Sequence, residues 1–165
     1  MSLPDAEQLL AKLADDIRPL LGENTALVGI HSGGAWLAER LQSLLGGDIP
    51  LGTLDISFYR DDFNRIGLHP QTKPSQIPFE VEGSHIILVD DVLYTGRTIR
   101  GAMNELFDYG RPDKITLAVL VDRGGREMPV EAQIVGTRLS RKPGENLELV
   151  RDAAGAFHLK LNEAA

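Results

Sequence analysis

The sequence predicts an α/β domain with a central, mostly parallel sheet, helices on its faces and a small β hood. Three observations support this fold class. Apolar runs typical of strands alternate along the chain with helical patterns, as in sheets built from strand–helix–strand units. Most of these runs are apolar throughout, which indicates strands covered on both faces. Glycine or charged pairs follow three of them, at 33–34, 90–91 and 122–123, and parallel sheets bind ligands at the carboxyl ends of their strands.

The first half of the chain predicts two helices and two strands, followed by a long excursion. Asp5 and Gln8 have the spacing of a capping box and open an amphipathic helix that Pro19 ends or kinks. Residues 59–83 contain three prolines and no clear period, which favours the hood or a flexible loop. The other predicted elements are a strand at 26–30, a glycine turn at 32–34, a helix through 36–45 and a strand at 51–58.

The second half predicts a further strand–helix–strand unit, one more strand and a terminal hairpin. Residues 84–90 are nearly all apolar and precede a turn at 94–98. A helical pattern then runs through 99–107 and is closed by Gly110 and Pro112. The remaining elements are strands at 115–121 and 133–139, and a hairpin of 147–151 and 156–161 with its turn at 152–155. We predict a single domain over residues 1–165.

The composition excludes several classes of protein. With 165 residues, of which 42% are hydrophobic and 25% charged, the chain can close one core and is not disordered throughout. No apolar run approaches the ~20 residues of a membrane helix and no signal peptide is visible, so we expect a cytoplasmic protein. The absence of cysteine excludes a thiolate nucleophile and a disulfide framework. The net charge of −7 argues against non-specific nucleic-acid binding unless basic residues gather on one face.

The segment 86–98 carries the strongest chemical signal. A buried strand ends in Asp90 and Asp91, and two threonines then surround Gly96 at the start of a helix. A glycine turn at a helix N-terminus presents free N–H groups to an anion, and phosphate is its natural guest. The two carboxylates would repel that phosphate, so we expect them to face sugar hydroxyls, a magnesium ion or a developing cation. The structural alternative is a strand that ends in capping acids, or the acidic pocket of a receiver domain; receiver domains, however, carry their acidic pair after the first strand and lack this loop.

The same segment closely resembles the signature of type I phosphoribosyltransferases for phosphoribosyl diphosphate, PRPP. Together with the blocks at 55–62 and 121–129, it is similar to the three most recognisable blocks of the PyrR family, and the similarity in order and spacing covers nearly the whole chain. The resemblance implies a type I phosphoribosyltransferase fold and the reaction of uracil with PRPP to give UMP and diphosphate, with Mg²⁺. It also implies attenuation of pyrimidine operons through binding of leader messenger RNA, and a homodimer or larger homo-oligomer.

The resemblance further implies roles for individual residues. Asp90 and Asp91 would hold the ribose hydroxyls and stabilise the developing cation, and Arg60 would reach PRPP when the hood closes. The Mg²⁺ ion would be held mainly by PRPP and water, with Asp91 as the candidate protein ligand. Arg123 and Met128 would line the base pocket. The remaining residues expected to bind PRPP or UMP are Ser32, Gly33, Gly34, Val92, Leu93, Tyr94, Thr95, Gly96, Arg97 and Thr98.

Each of these roles has a plainer alternative. The glycine turn at 32–34 could be an ordinary strand–helix connection, and here it departs from family members that carry Thr-Arg-Gly at this place. Arg60 could pair with a neighbouring aspartate, and Arg123 could stabilise a turn. A general base for uracil N1 is not visible; His31 and His69 are candidates by residue type alone.

RNA binding requires a basic surface, because phosphate contacts dominate affinity for RNA. The family's RNA surface draws on its first helix, but residues 5–23 of this chain hold two basic and five acidic side chains, a net of −3. A compensating basic set lies towards the C-terminus: Arg138, Arg141, Lys142, Arg151 and Lys160. Two functions therefore stay open beside a uracil phosphoribosyltransferase. One is a nucleotide-sensing regulator with little catalysis, and the other is a phosphoribosyltransferase for another base.

Overall fold

The computed structural model describes residues 3–56 and 75–163 of the chain. Its main sheet has five parallel strands in the order β2-β1-β3-β4-β5, which confirms the predicted α/β class. The strands are β1 (Thr25–Ile30), β2 (Leu51–Leu54), β3 (His85–Leu93), β4 (Lys114–Asp122) and β5 (Ile134–Arg138). A separate antiparallel hairpin follows, formed by β6 (Glu145–Arg151) and β7 (Phe157–Glu163).

Within residues 3–56 and 75–163, three α-helices cover the sheet: α1 (Ala6–Ile17), α2 (Gly33–Leu44) and α3 (Arg97–Tyr109). The predicted cap of the first helix is confirmed, because the Asp5 carboxylate accepts hydrogen bonds from the backbone N–H groups of Glu7 and Gln8. The α-helix ends at Ile17 and continues as a 3-10 turn that contains Pro19. Proline there has no N–H for the next helical bond, which explains the change of helix type.

The two faces of the sheet are buried in separate cores. Along β3, Ile87 and Val89 pack with α1, α2 and the hairpin, whereas Ile86 and Leu88 pack with α3. This alternation follows from the period of two along a strand. Both sets are fully buried, so β3 is the central strand that the unbroken apolar run predicts.

Two predicted boundaries differ from the observed ones. The prediction ended β3 at residue 90, but its pairing with β4 continues to Leu93 opposite Asp122, so the acidic pair lies inside the strand. The second strand ends at Leu54, and most of the predicted hood, residues 59–74, lies outside the described residues. Beyond that gap, Gln76 forms an isolated antiparallel bridge with Thr53. No helix in the described ranges is long and apolar enough to cross a membrane.

The strand order creates a crevice at one point of the sheet. β1 and β3 are neighbours, but β1 is followed by β2 on one side and β3 by β4 on the other. The connections after these two strands therefore run in opposite directions and leave a gap at their carboxyl ends. Open parallel sheets bind ligands at such a switch point, and both the glycine turn and the acidic pair lie there.

Candidate active site

The glycine turn after β1 packs directly against the end of β3. A Cβ atom on Gly33 would overlap the Asp91 carboxylate, and one on Gly34 would overlap the backbone carbonyl of Val89. Neither position has room for a side chain unless its neighbour moves. The peptide between His31 and Ser32 in this turn is cis. Two predicted parts of the site, the glycine turn and the acidic pair, are thus in contact.

The two acidic residues occupy different environments. Asp90 is buried, with 7% of its surface exposed, and Asp91 is half-buried. Each carboxylate accepts a hydrogen bond of 2.8 Å from the following backbone N–H, that of Asp91 or of Val92. Because side chains alternate along a strand, the two carboxylates leave β3 on opposite faces. Asp91 is the one that faces the glycine turn.

The turn before α3 has the geometry of an anion site. Gly96 is the N-cap of α3 with a φ of 92°, a left-handed conformation that favours glycine, and this residue has no side chain with which to cap the helix. The Thr95 hydroxyl accepts a hydrogen bond of 3.2 Å from the Arg97 N–H. Residues 94–98, which we call the phosphate turn, therefore connect the carboxyl end of β3 to the N-terminus of α3, the kind of helix start that binds anions.

A second loop, residues 124–130, supports the phosphate turn from behind. The N–H groups of Glu127 and Met128 both donate to the Thr95 carbonyl at 2.9 Å. Arg126 donates to the carbonyl oxygens of Tyr94 at 3.1 Å and Val130 at 2.7 Å. No sequence signal assigns a role to Arg126. A spacing of four residues, as between Asp122 and Arg126, indicates a side-chain pair only within a helix, and this segment is not helical.

The end of β4 anchors this supporting loop through an ion pair. Both carboxylate oxygens of Asp122 accept from the Arg126 guanidinium, at 2.9 and 2.7 Å, and Asp122 is 6% exposed. These hydrogen bonds lower the pKa of Asp122 from its ordinary value, against the opposing effect of burial. The carboxylate therefore stays ionised and holds the loop in place.

The two residues predicted to line the base pocket lie beside this loop. Arg123 is buried, with its guanidinium 4.0 Å from the centroid of the Tyr94 ring. Met128 is half-buried, and its Cβ lies close to Gly96. A cavity of about 250 Å³ is lined by Arg123 together with Asp122, Arg126 and Ser140, among others, but Met128 does not line it. The structure thus places a cavity at the end of β4, beside one of the two predicted base-pocket residues.

The other predicted site residues either make different contacts or lie outside the described residues. Arg60 and His69 lie outside the described residues. His31 is half-buried, and its backbone N–H donates to the Leu54 carbonyl at 2.9 Å. Ser32 is exposed, and its side chain does not cap α2. In the part of the chain that the structure describes, no group of three or more acidic or histidine side chains could hold a metal ion.

Comparison with known proteins identifies the family. The model of the phosphoribosyl transferase domain matches residues 2–143. A protein named Bifunctional protein PyrR from Pseudomonas paraeruginosa is 53% identical over 165 residues, which cover 98% of this chain and 97% of the relative. The protein of the same name from Nitrosococcus oceani is 60% identical over 126 residues, which cover 75% of this chain and 71% of the relative.

Solved structures agree on the fold. A hypoxanthine-guanine phosphoribosyltransferase from Bacillus anthracis aligns with a TM-score of 0.68 at 22% identity, covering 86% of this chain and 85% of the other. A hypoxanthine phosphoribosyltransferase from Staphylococcus aureus gives 0.64 at 18%, covering 88% and 79%. The predicted fold and enzyme class, a phosphoribosyltransferase of the PyrR type, are confirmed. With half of its residues identical over nearly its full length, the chain belongs to the phosphoribosyl transferase domain family and, within it, to the PyrR family.

Proposed function

We propose that the protein transfers the phosphoribosyl group of PRPP to uracil in the crevice between β1 and β3. The observation that carries this proposal is the convergence of three parts at one place. The glycine turn at 32–34, the Asp91 carboxylate and the phosphate turn all border the carboxyl ends of these strands. Each part suits a different group of PRPP: the diphosphate, the sugar and the 5′-phosphate.

In the reaction, the bond from ribose C1 to the diphosphate oxygen breaks and a bond from C1 to uracil N1 forms. The N1 proton is released, and His31 and His69 are the candidate bases by residue type. The phosphate turn holds the 5′-phosphate. Asp91, on the glycine-turn face of β3, and Asp90, on its α3 face, hold the 2′- and 3′-hydroxyls of a ribose that lies across the end of the strand. Their charges also stabilise the oxocarbenium-like ribose, an electrostatic effect worth about 3–4 kcal/mol when such groups are preorganised.

The diphosphate is placed at the glycine turn, where the absence of side chains allows backbone N–H groups to approach closely. Family members with arginine at position 33 have a cation there that this chain lacks, and such a contact contributes about 1.5–3 kcal/mol. Arg60, on the block at 55–62, is the candidate to supply positive charge in its place. Weak PRPP affinity is therefore expected if Arg60 does not reach the diphosphate.

The residues present fit a magnesium ion that is bound mainly through the substrate. Mg²⁺ keeps several waters and binds one or two carboxylates together with substrate phosphates, and Asp91 is a half-buried carboxylate beside the glycine turn. When bound, the ion neutralises the diphosphate leaving group. Asp91 would hold it, and the backbone of the glycine turn would position the diphosphate.

The base is placed beside the block at 122–128, next to the phosphate turn. Arg123 lines the cavity at this block, which reaches Ser140, and Met128 lies next to Gly96 of the phosphate turn. Each oxygen of the Asp122 carboxylate already accepts a hydrogen bond from Arg126, so this side chain is engaged within the protein. Backbone groups of the block are therefore the candidates to select uracil.

The decisive experiment measures diphosphate release from PRPP and Mg²⁺ with a panel of bases. We expect turnover with uracil, and little with hypoxanthine, guanine or orotate. Preference for another base would contradict uracil as the acceptor. Tight UMP binding without turnover on any base would instead identify a nucleotide-sensing regulator.

We also propose a regulatory role in which UMP promotes binding to pyrimidine-operon leader RNA. The name Bifunctional protein PyrR of the relatives supports it, but the basic surface must lie away from α1. There, Lys12 is engaged by Asp16 at 3.2 Å and by the Val135 carbonyl at 2.8 Å. The basic set at 138–160 is the alternative surface. Salt-dependent binding to the chain's own operon leader, strengthened by UMP, would support this role, and no binding at low salt would refute it.

A homodimer or larger assembly is expected, and sedimentation tests it.

A further inference from the structure

Arg123 has a set of contacts that base binding does not explain. It is 6% exposed, and among the described residues no carboxylate pairs with it. Its guanidinium instead donates to two backbone carbonyls, those of Glu145 at 2.8 Å and Lys142 at 3.3 Å. Burying a charge without an opposite charge is costly. Stabilisation of the fold therefore does not by itself explain why the Arg123 guanidinium is buried here.

On its other side, Arg123 is attached to the phosphate turn. Its guanidinium carbon lies 4.0 Å from the centroid of the Tyr94 ring, a cation–π contact, and its backbone N–H donates to the Leu93 carbonyl at 3.0 Å. Gly125 touches the same ring so closely that a Cβ there would overlap it. Tyr94 is the first residue of the phosphate turn, so its orientation is fixed by these neighbours.

The carbonyls that Arg123 binds belong to a compact turn. The Glu145 N–H donates to the Lys142 carbonyl at 3.0 Å, and the Lys142 N–H donates to the Glu145 carboxylate at 2.8 Å. This turn, residues 142–145, leads directly into β6, which begins at Glu145. One guanidinium therefore connects it with the phosphate turn.

We propose that Arg123 is a positioning residue that sets the separation between the phosphate turn and the 142–145 turn. In the proposed function a nucleotide has its phosphate at the first of these turns and its base beside the block at 122–128, from which the Arg123 side chain reaches the second turn. The inference rests on the proposed function, because that function places the base beside the block at 122–128. Loss of Arg123 should then weaken the binding of ligands that occupy both the phosphate turn and the base side of the site. The affinity of ligands that occupy only one of these two places should not change.

Calorimetry with two ligands tests this separation. We expect Arg123→Met to weaken UMP binding by a factor of about 10 to 100, the range for loss of a charge-assisted hydrogen bond. Ribose 5-phosphate reaches only the phosphate turn and the sugar-binding acids, so its affinity should not change. Arg123→Lys keeps the charge but cannot bind both carbonyls, and it should fall between Arg123→Met and the wild type.

The chain offers a matched control in Arg40. Its guanidinium lies 4.6 Å from the centroid of the Phe157 ring and donates to the Gly155 carbonyl at 2.8 Å, so it holds the other end of the same hairpin. Arg40→Met should lower the melting temperature, because Arg40 also pairs with Glu7 at 2.7 Å. It should leave the ratio of the two ligand affinities unchanged.

A double-mutant cycle distinguishes positioning from direct contact with the base. If Arg123 acts through Tyr94, the effects of Arg123→Met and Tyr94→Leu on UMP affinity will not add. Additive effects would show that Arg123 acts on the base by itself and would overturn the inference, as would equal loss of both ligands. If the wild type fails to bind UMP, the proposed function fails first, whatever the variants do.

Discussion

Replacing Gly33 by alanine tests whether the glycine turn determines the position of the Asp91 carboxylate. A Cβ at position 33 would overlap one carboxylate oxygen and would lie 2.8 Å from the Asp91 Cγ, whereas ordinary contacts begin at 3.4 Å. The Asp91 Cγ must therefore retreat by about 0.6 Å and the overlapping oxygen by about 1 Å, and a misplacement of about 1 Å can cost 10²-fold in rate. We expect kcat to fall by about 10- to 100-fold in Gly33→Ala.

Stability should change little in this variant. Gly33 is the first residue of α2, and alanine is favoured over glycine inside a helix by up to about 1 kcal/mol. An off-rotamer Asp91 would cost about 0.5–1.5 kcal/mol in the opposite direction. The two effects nearly cancel, so the melting temperature should stay within about 4 °C of the wild type.

The assay is steady-state diphosphate release, with melting followed by circular dichroism. Gly22→Ala serves as the control, because a Cβ there would meet the Thr25 hydroxyl at an ordinary 3.7 Å. In the background of Asp91→Ala, adding Gly33→Ala should have no further effect on kcat. An unchanged kcat in Gly33→Ala alone, or a further loss in the double variant, would refute the reasoning.

Two further predictions concern the acids of the site. Asp91→Asn should lower turnover by about 10²–10³, since a preorganised charge that stabilises the transition state is lost, while the melting temperature stays near that of the wild type; near-normal turnover would contradict the assignment. The ion pair between Asp122 and Arg126 should contribute to acid stability, because it lowers the folded-state pKa of Asp122 below its ordinary 3.8. The contribution of the pair is present above pH 3.8 and is lost as the pH falls through the folded-state pKa of Asp122. Urea titrations from pH 6 to pH 2 should therefore show a shallower loss of unfolding free energy in Arg126→Met than in the wild type. Identical slopes in the two proteins would count against the pair.

Local sequence signals predicted much of this fold and site. The run Ile86–Val89 predicts a central strand because every residue in it is apolar, and both faces of that strand are indeed buried. Gly96 marks the start of α3 because the left-handed conformation of the N-cap favours glycine. These local signals do not predict the strand order. The carboxyl ends of parallel strands nevertheless meet at one edge, which is why 33–34 and 90–91 could be expected together.

Contacts between segments distant in sequence could not be predicted in this way. The end of β3 lies at Leu93 because β4 offers a partner as far as Asp122, and no local pattern encodes that partner. Arg123 and Arg126 are three residues apart, but one donates to carbonyls of the turn at 142–145 and the other to the Tyr94 carbonyl. Residue type gives the charge of each side chain, whereas only the fold gives its partners.

The arrangement of carbonyl groups explains how the phosphate turn can receive an anion. A turn exposes carbonyl oxygens as well as N–H groups, and oxygens facing a phosphate would repel it. Here four successive carbonyls, from residue 93 to residue 96, accept hydrogen bonds from the protein. Their donors are the Arg123 N–H, the Arg126 guanidinium, the N–H groups of Glu127 and Met128, and the Arg100 N–H. Because these donors occupy the oxygens, the positive ends of the peptide dipoles are left to face the crevice. The proposed function therefore requires the block at 121–129 for phosphate binding as well as for the base, and it assigns two motifs far apart in sequence to one active site.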